Sequence, residues 1–265
     1  MRGISELKLA GLPLCAHTSL KSFGRVEGGA GAIVDAFLAA GCTLVVPAFR
    51  YTNEVAPPPG VEIERNGWDS GRAADVARYS PEPFDPDSNS LEPEGMGAVP
   101  AAVLDRAGRQ RGNHPIDSFS ALGPLAEEII ATQTPHNVYG PLRSVGQRGG
   151  YALLMGVGLN RMTLLHTAEE EAGRELFQRW ALDRDGRPIA CRIGGCSEGF
   201  PRLEASIGRL ARETTVGNSG WRAFPINATL AAAAAAISSN PNITHCGSPA
   251  CGTCPDAVLG GPLIA

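Results

Sequence analysis

No stretch of this 265-residue chain is apolar for long enough to cross a bilayer as a helix. The longest candidate, "ATLAAAAAAI" from Ala228 to Ile237, is about half the length a membrane span needs. An apolar leader is also missing: "MRGISELKLAGLPLCAHTSL" has charges and a proline where one would lie, so the expected location is the cytoplasm. Basic residues are too few and too scattered for a nucleic-acid partner. The 23 Lys and Arg stand against 27 Asp and Glu, a net charge of −4, with no stripe of basic residues interleaved with aromatics. GxxxxGK[ST] and GxGxxG are both absent, which removes the P-loop and dinucleotide fingerprints. The seven cysteines (Cys15, Cys42, Cys191, Cys196, Cys246, Cys251 and Cys254) are an odd set and read as reduced thiols, not as a disulfide framework. A small cationic substrate is compatible with the mild acidity.

The order of elements is that of a layered α/β protein. "LPLCAH" (12–17) and "CTLVVPAF" (42–49) are short apolar runs of the kind that form buried strands. Between them "GGAGAIVDAFLAAG" has Ile33, Val34, Phe37 and Leu38 at helical spacing and ends at Gly41. From Arg50 to Gly95 the pattern lapses into one long excursion rich in Pro, Asp, Ser and Asn, which Trp68, Tyr79 and Phe84 mark as an ordered lid. Residues 96–108 then read as a helix with Pro100 in its first turn. "SFSALG" reads as a strand, "PLAEEIIA" as a helix, "YALLMGVG" as a buried strand and "RMTLLHTAEEEAG" as the helix after it. Two β-like segments flank Asp185-Gly186, a hairpin turn. "PRLEASIGRLAR" predicts a helix, followed by "WRAFPI", the alanine-rich helix and a Cys/Gly tail. The expectation is a three-layer αβα sandwich around a central mixed sheet, with a β-hairpin elaboration towards the C-terminus, as one domain over 1–265.

Two places could carry chemistry. The turn "AHTSLKSFGRVEGG" follows a strand and precedes a helix, where open α/β sheets receive anions on backbone N–H groups. His166 stands just ahead of Glu169, Glu170 and Glu171, and the first two of these share its helix face. Histidine has an ordinary pKa near ~6.5 and can take a proton from an amine at neutral pH. A carboxylate beside it would fix its tautomer. His17 ends the first strand and is read as lining the site, His114 as a structural anchor and His136 as inert.

Collinear segments make the resemblance specific. The first turn is similar to the "HSSLSxxG" opening of the aminoglycoside 3-N-acetyltransferases. "FDPDSNSLEPEGMGAVP" resembles that family's "FDP…S…MGxIPE", and "HPIDSFSALG" its "HPxxSFxAxG". The stretch from Gly140 to Glu170 resembles "GxxSPLGxLxxxGGxxLLLGVGxxxNTxLHxAE", and "GCSEGF" resembles "GCSDGF". Thr18 stands where serine is commoner, and "PLRS" scrambles the usual Ser-Pro-Leu at Ser144. The resemblance implies transfer of acetyl from acetyl-CoA to the 3-amino group of a 2-deoxystreptamine aminoglycoside. It implies His166 as general base and Glu169 as its partner, with Glu198 and Glu204 as alternative orienting carboxylates. Coenzyme A would lie on Thr18, Ser19, Leu20, Lys21, Ser22, Phe23 and Gly24, with Ser118 as a further contact. His17, Asp69, Glu170, Glu198 and Glu204 are the candidate acceptor contacts. Asp75, Asp85, Asp87, Glu92 and Glu94 would extend an acidic groove along the excursion. A homodimer is compatible with this reading. Another amine acceptor, or a non-catalytic CoA- or metal-binding scaffold, is the alternative.

The tail "HCGSPACGTC" gathers His245, Cys246, Cys251 and Cys254, a density of soft ligands that a structural zinc could use. These ligands are not spaced as two pairs, and such tails recur in the family without a role for metal, so the reading is metal-free. Cys15, in a strand, is expected to be inert, with acetyl passing directly from CoA to amine.

Overall fold

The computed structural model describes residues 2–92 and 95–264. After the short helix α1 (Arg2–Glu6), the expected apolar runs form three parallel strands at the centre of the molecule: β1 (Pro13–Thr18), β2 (Thr43–Pro47) and β6 (Tyr151–Met155). Their burial on both faces is what near-continuous apolar strands require. Antiparallel strands extend the sheet on each side. β5 (Phe119–Leu122) and β4 (Gln110–Arg111) lie beyond β2, while β10 (Ser219–Pro225) and β9 (Arg212–Val216) lie beyond β6. The result is a seven-stranded mixed sheet in the order β4-β5-β2-β1-β6-β10-β9.

Strand register sorts the core into two faces. Leu14 lies opposite Leu44 and Tyr151. Leu14, Ala16, Val46, Leu153, Met155 and Trp221 therefore share a face with Val34 and Phe37 of α2 (Gly29–Ala39) and Val99 and Val103 of α4 (Ala98–Leu104). The alternate residues Cys15, Val45, Ala121, Ala152, Leu154 and Phe224 pack on the other side. Their partners there are Ile129 of α5 (Ala126–Ile130), Leu142 of α6 (Gly140–Gln147), Leu165 of α7 (Leu164–Glu171) and Leu230 of α9 (Ile226–Ser239). Each Val, Leu, Ile, Phe or Met among them, once buried, stabilises the fold by ~1.5–3 kcal/mol before entropy is counted. The expected three-layer αβα sandwich is the observed architecture. Alanine after alanine in α9 lets it lie close against α7, the helix of His166.

The hairpin around Asp185-Gly186 is present as β7 (Phe177–Leu182) and β8 (Pro188–Ile193). The Asp183 carboxylate accepts the N–H groups of Asp185 and Arg187 in the turn. With β3 (Glu54–Val55) it makes a separate three-stranded sheet. This sheet holds the excursion in place. Buried Glu54 is paired with Arg179, at 3.3 Å, and with Arg72, and Asn66 exchanges two hydrogen bonds with the Gln178 backbone. The described residues of the excursion are thus ordered, as its aromatics predict, and they include the short helix α3 (Ser70–Val76).

One expectation needs correction, and one helix is additional to those expected. "PRLEASIGRLAR" is not one helix: only α8 (Glu204–Ile207) is α-helical, with 3₁₀ turns on both sides. Pro201 and Gly208 bound it, and Arg212 already belongs to β9. "GPLRSVGQ", not foreseen as a helix, is α6, with Pro141 accommodated at its start. Among the described residues no helix is long and apolar enough to cross a membrane.

Candidate active site

The carboxyl ends of β1, β2 and β6 open on a cavity of about 760 Å³, within the usual range for small-molecule sites. His17 and Thr18 reach it from the end of β1, Pro47 from β2, and Asp117 from the residue pair preceding β5. Asn160, Arg161 and Thr163 come from the connection into α7, His166 from the first turn of α7 itself, and Ile193, Gly194, Gly195 and Ser197 from the end of β8 and the segment after it.

His166 is held on every side but one. Nδ1 lies 2.9 Å from the Glu169 carboxylate, one helical turn on, and both side chains are buried. The other Glu169 oxygen accepts from Arg174 at 2.5 Å and from the Thr244 hydroxyl at 3.1 Å. Tyr139 stacks on the imidazole at 6.0 Å, and Phe200 meets it edge-on at 4.7 Å. A Cβ added to Gly194 would stand 2.5 Å from His166 Cγ and from the Tyr139 hydroxyl oxygen, so only glycine lets that strand end close over the ring. With Nδ1 committed to Glu169, Nε2 is the nitrogen left to act in the cavity; it has no protein hydrogen bond among the described residues.

Of the first turn, Thr18, Ser19, Leu20, Lys21 and Gly24 line the cavity, while Ser22 and Phe23 are not among its described lining residues. The Ser22 hydroxyl is tied to the Ser19 carbonyl and the Ser219 hydroxyl, both at 2.7 Å. Phe23 packs against Trp221 in the core. Gly156 is required beside this turn, since it has φ 69° and a Cβ there would collide with Ser22. Ser118, expected as a further contact, is likewise not among the described lining residues. It is buried outside the cavity, donating to the Ala48 carbonyl at 2.7 Å and accepting from Arg111 at 2.9 Å.

Among the acceptor candidates, His17 lines the cavity. Burial depresses its pKa to about 4, so the ring is neutral at physiological pH. The four carboxylates do not line it. Asp69 caps α3 through the Arg72 N–H. Glu170 faces away, paired with Arg143 at 2.7 Å. Glu204 is gripped by Arg222 through both carboxylate oxygens, at 2.6 and 2.9 Å. Glu198 is exposed and touches the site only through Asn160, at 3.2 Å. Among the described residues the other acids of the excursion do not line the cavity either: Asp85 and Asp87 bind Arg184, Asp75 binds Arg78, and Glu92 accepts the Thr52 N–H. Glu94 lies outside the described residues. His114 is the structural anchor expected. It is fully buried, with Nδ1 accepting from Asp117 N at 2.8 Å and Nε2 donating to the Arg192 carbonyl at 2.9 Å.

Asp117, which no sequence motif singles out, also lines the cavity. It is the one carboxylate among the described lining residues, 5% exposed, with one oxygen that has no partner. Burial raises its pKa to about 7, while the nearby His166 draws it down. An acidic residue set between Ile116 and Phe119 was the available signal. At the cavity it is accompanied by the cations Lys21 and Arg161.

The tail also differs from expectation. Cys196, which follows the lining glycines, joins Cys246, Cys251 and Cys254, with all four sulfurs within 4.8 Å of one another. His245 is not in the group; its Nδ1 accepts the Gly247 N–H at 2.9 Å.

A family model described as aminoglycoside 3-N-acetyltransferase matches residues 15–238, from β1 through almost all of α9. The chain belongs to that family. The chain is 32% identical to aminoglycoside N(3)-acetyltransferase VIII of Streptomyces fradiae over 167 residues, 62% of this chain and 56% of the relative. The match spans about half the length of such curated relatives. The fold extends further than that alignment. The crystal structure of aminoglycoside acetyltransferase AAC(3)-IVa superposes with a TM-score of 0.74 at 26% identity, covering 97% of this chain and 95% of the other. A histidine-to-alanine mutant of that enzyme, in complex with a gentamicin, superposes at 0.72 and 26% identity, covering 94% and 91%.

Proposed function

We propose that this chain transfers acetyl from acetyl-CoA to the 3-amino group of a 2-deoxystreptamine aminoglycoside, with His166 as general base. The observation that carries the reading is the buried His166–Glu169 pair at the wall of a cavity of drug size, in a chain of this family. An ammonium has no lone pair with which to attack. His166 Nε2 takes one proton from it, and the amine nitrogen then bonds to the thioester carbonyl carbon. The carbon–sulfur bond breaks, the CoA thiolate leaves, and the second proton that the acylated nitrogen sheds in becoming an amide passes to the sulfur. Glu169, itself held by Arg174 and Thr244, keeps Nδ1 protonated and stabilises the imidazolium as it forms. Asp117 gives a cationic acceptor a carboxylate on the cavity wall, and the turn from Thr18 to Gly24, with Lys21 and Arg161, gives the phosphates of coenzyme A polar and cationic partners. Buried Cys15 keeps its proton, since desolvation drives its pKa far up, which favours direct transfer over an acyl-cysteine.

The test is incubation of the purified chain with acetyl-CoA and a panel of 2-deoxystreptamine drugs, with NMR of any product. The reading expects thiol release that depends on the drug, and a single amide at the 3-amino nitrogen. Turnover only with unrelated amines, or CoA binding without turnover, would contradict it.

A further inference from the structure

The segment from His245 to Cys254 has an unusual physical problem. Half of its residues are glycine, serine, alanine or proline, five of its ten positions are exposed, and from 245 to 252 it has no regular secondary structure. Almost no apolar area is available there to offset the entropy of ordering it. Yet it follows a defined path, running from the 3₁₀ turn at Pro241–Thr244 into α10 (Cys254–Val258). What its course shares with Cys196 is a single point in space, about which four thiols converge.

We propose that Cys196, Cys246, Cys251 and Cys254 bind a structural zinc ion. Tetrahedral zinc with bonds of ~2.3 Å sets its sulfurs ~3.8 Å apart, and the four sulfurs here already lie within 4.8 Å of one another. None of the four is in a disulfide. The surrounding backbone is arranged for sulfur anions. Ser248 N–H points to Cys246 Sγ, Cys254 N–H to Cys251 Sγ and Cys246 N–H to Cys254 Sγ, each at 3.4 Å. Such donors are the outer partners that metal thiolates need. A set of four thiolates selects zinc over magnesium or calcium, and a closed set of four protein ligands leaves no position for substrate, which makes the role structural. Binding replaces the four S–H protons, which pass to solvent, so affinity rises with pH.

The location gives the ion its consequence. Cys196 directly follows Gly194 and Gly195, and Gly194 closes over the His166 ring. From the other end, Asp256 accepts the Gly67 N–H at 2.8 Å, and Gly252 lies against Asp69. The ion therefore ties the cavity wall, the excursion and the tail together at a place where the chain has no core of its own.

Metal analysis of the full chain, purified without a polyhistidine tag, tests the site without relying on acetyl transfer. The expected result is about one zinc per chain. It should be released by a thiol-blocking mercurial, and cobalt(II) put in its place should give thiolate-to-metal charge-transfer bands. Cys196→Ser and Cys251→Ser should lose the metal, while His245→Ala and the buried Cys42→Ser should keep it. Should the cysteine variants fail to fold, the parent chain still decides: removing zinc with a chelator should lower Tm and open the 245–254 segment to protease, and zinc alone should restore both. Metal-free protein with four freely alkylated thiols, a disulfide within the cluster, iron in place of zinc, or loss of the metal in His245→Ala would each overturn the proposal.

Discussion

The helix of His166 and the excursion between Arg50 and Gly95 are both rich in carboxylates, and they use them in opposite ways. In the excursion Glu54, Asp75, Glu82, Asp85 and Asp87 each face an arginine. Those charges are spent on holding a long irregular segment against the β7–β8 hairpin and against itself. In α7 the neighbours Glu169 and Glu170 divide the roles: Glu170 turns to Arg143, and Glu169 turns inward to a group that can gain and lose a proton. Local acidity therefore says little about cation binding. What matters is whether a carboxylate is already matched by an arginine, and the cavity keeps only Asp117 unmatched among its described lining residues.

Three variants, the last a double one, sharpen this contrast. Glu169→Gln has the largest expected effect. It removes the charge that steadies imidazolium and leaves Arg174 buried without its anion, so kcat should fall by up to about 10⁴-fold, with a loss of stability of about 3–5 kcal/mol. Steady-state kinetics and thermal unfolding read the two losses separately. Asp117→Asn comes next. The folded state holds the Asp117 proton more tightly than the unfolded chain does, so its contribution to stability declines as pH rises from about 3.8 to about 7. The variant should gain stability over the parent at pH 8 and not at pH 4. In the parent, KM for a cationic acceptor should fall as pH rises through about 7, and in the variant this part of the profile should be flat. The smallest effect is expected from Asp85→Asn with Asp87→Asn. Their pairs with Arg184 are solvent-exposed, so stability should change by about 1 kcal/mol or less and acceptor KM should hold. A large rise in KM there would break the contrast between the two regions.

How far the sequence revealed these features depended on chain distance. His166 and Glu169 were legible because one helical turn brings them together whatever the rest of the chain does. The central strands and α2 were equally plain, since apolar runs and the stop at Gly41 are local signals. The fates of Glu198 and Glu204 depend on Asn160 and Arg222, which come from other elements, and no local pattern announces such partners. The cysteine cluster was visible in part: the tail gave three of its four thiols, while the fourth, Cys196, comes from 50 residues upstream of Cys246 and stands where His245 was expected. α6 was hidden by Gly140, Pro141 and Gly146, whose usual effect is to break a helix. Here burial of Leu142 and Val145 outweighs that preference.

The central claim is that the imidazole of His166 removes the proton from a bound amine. It is tested most directly by comparing kcat for His166→Ala and the parent at saturating acetyl-CoA and aminoglycoside, with folding verified by Tm. The account predicts a fall of about 10²–10⁴-fold, with acceptor binding retained. A folded variant that keeps kcat within a few-fold of the parent would contradict it.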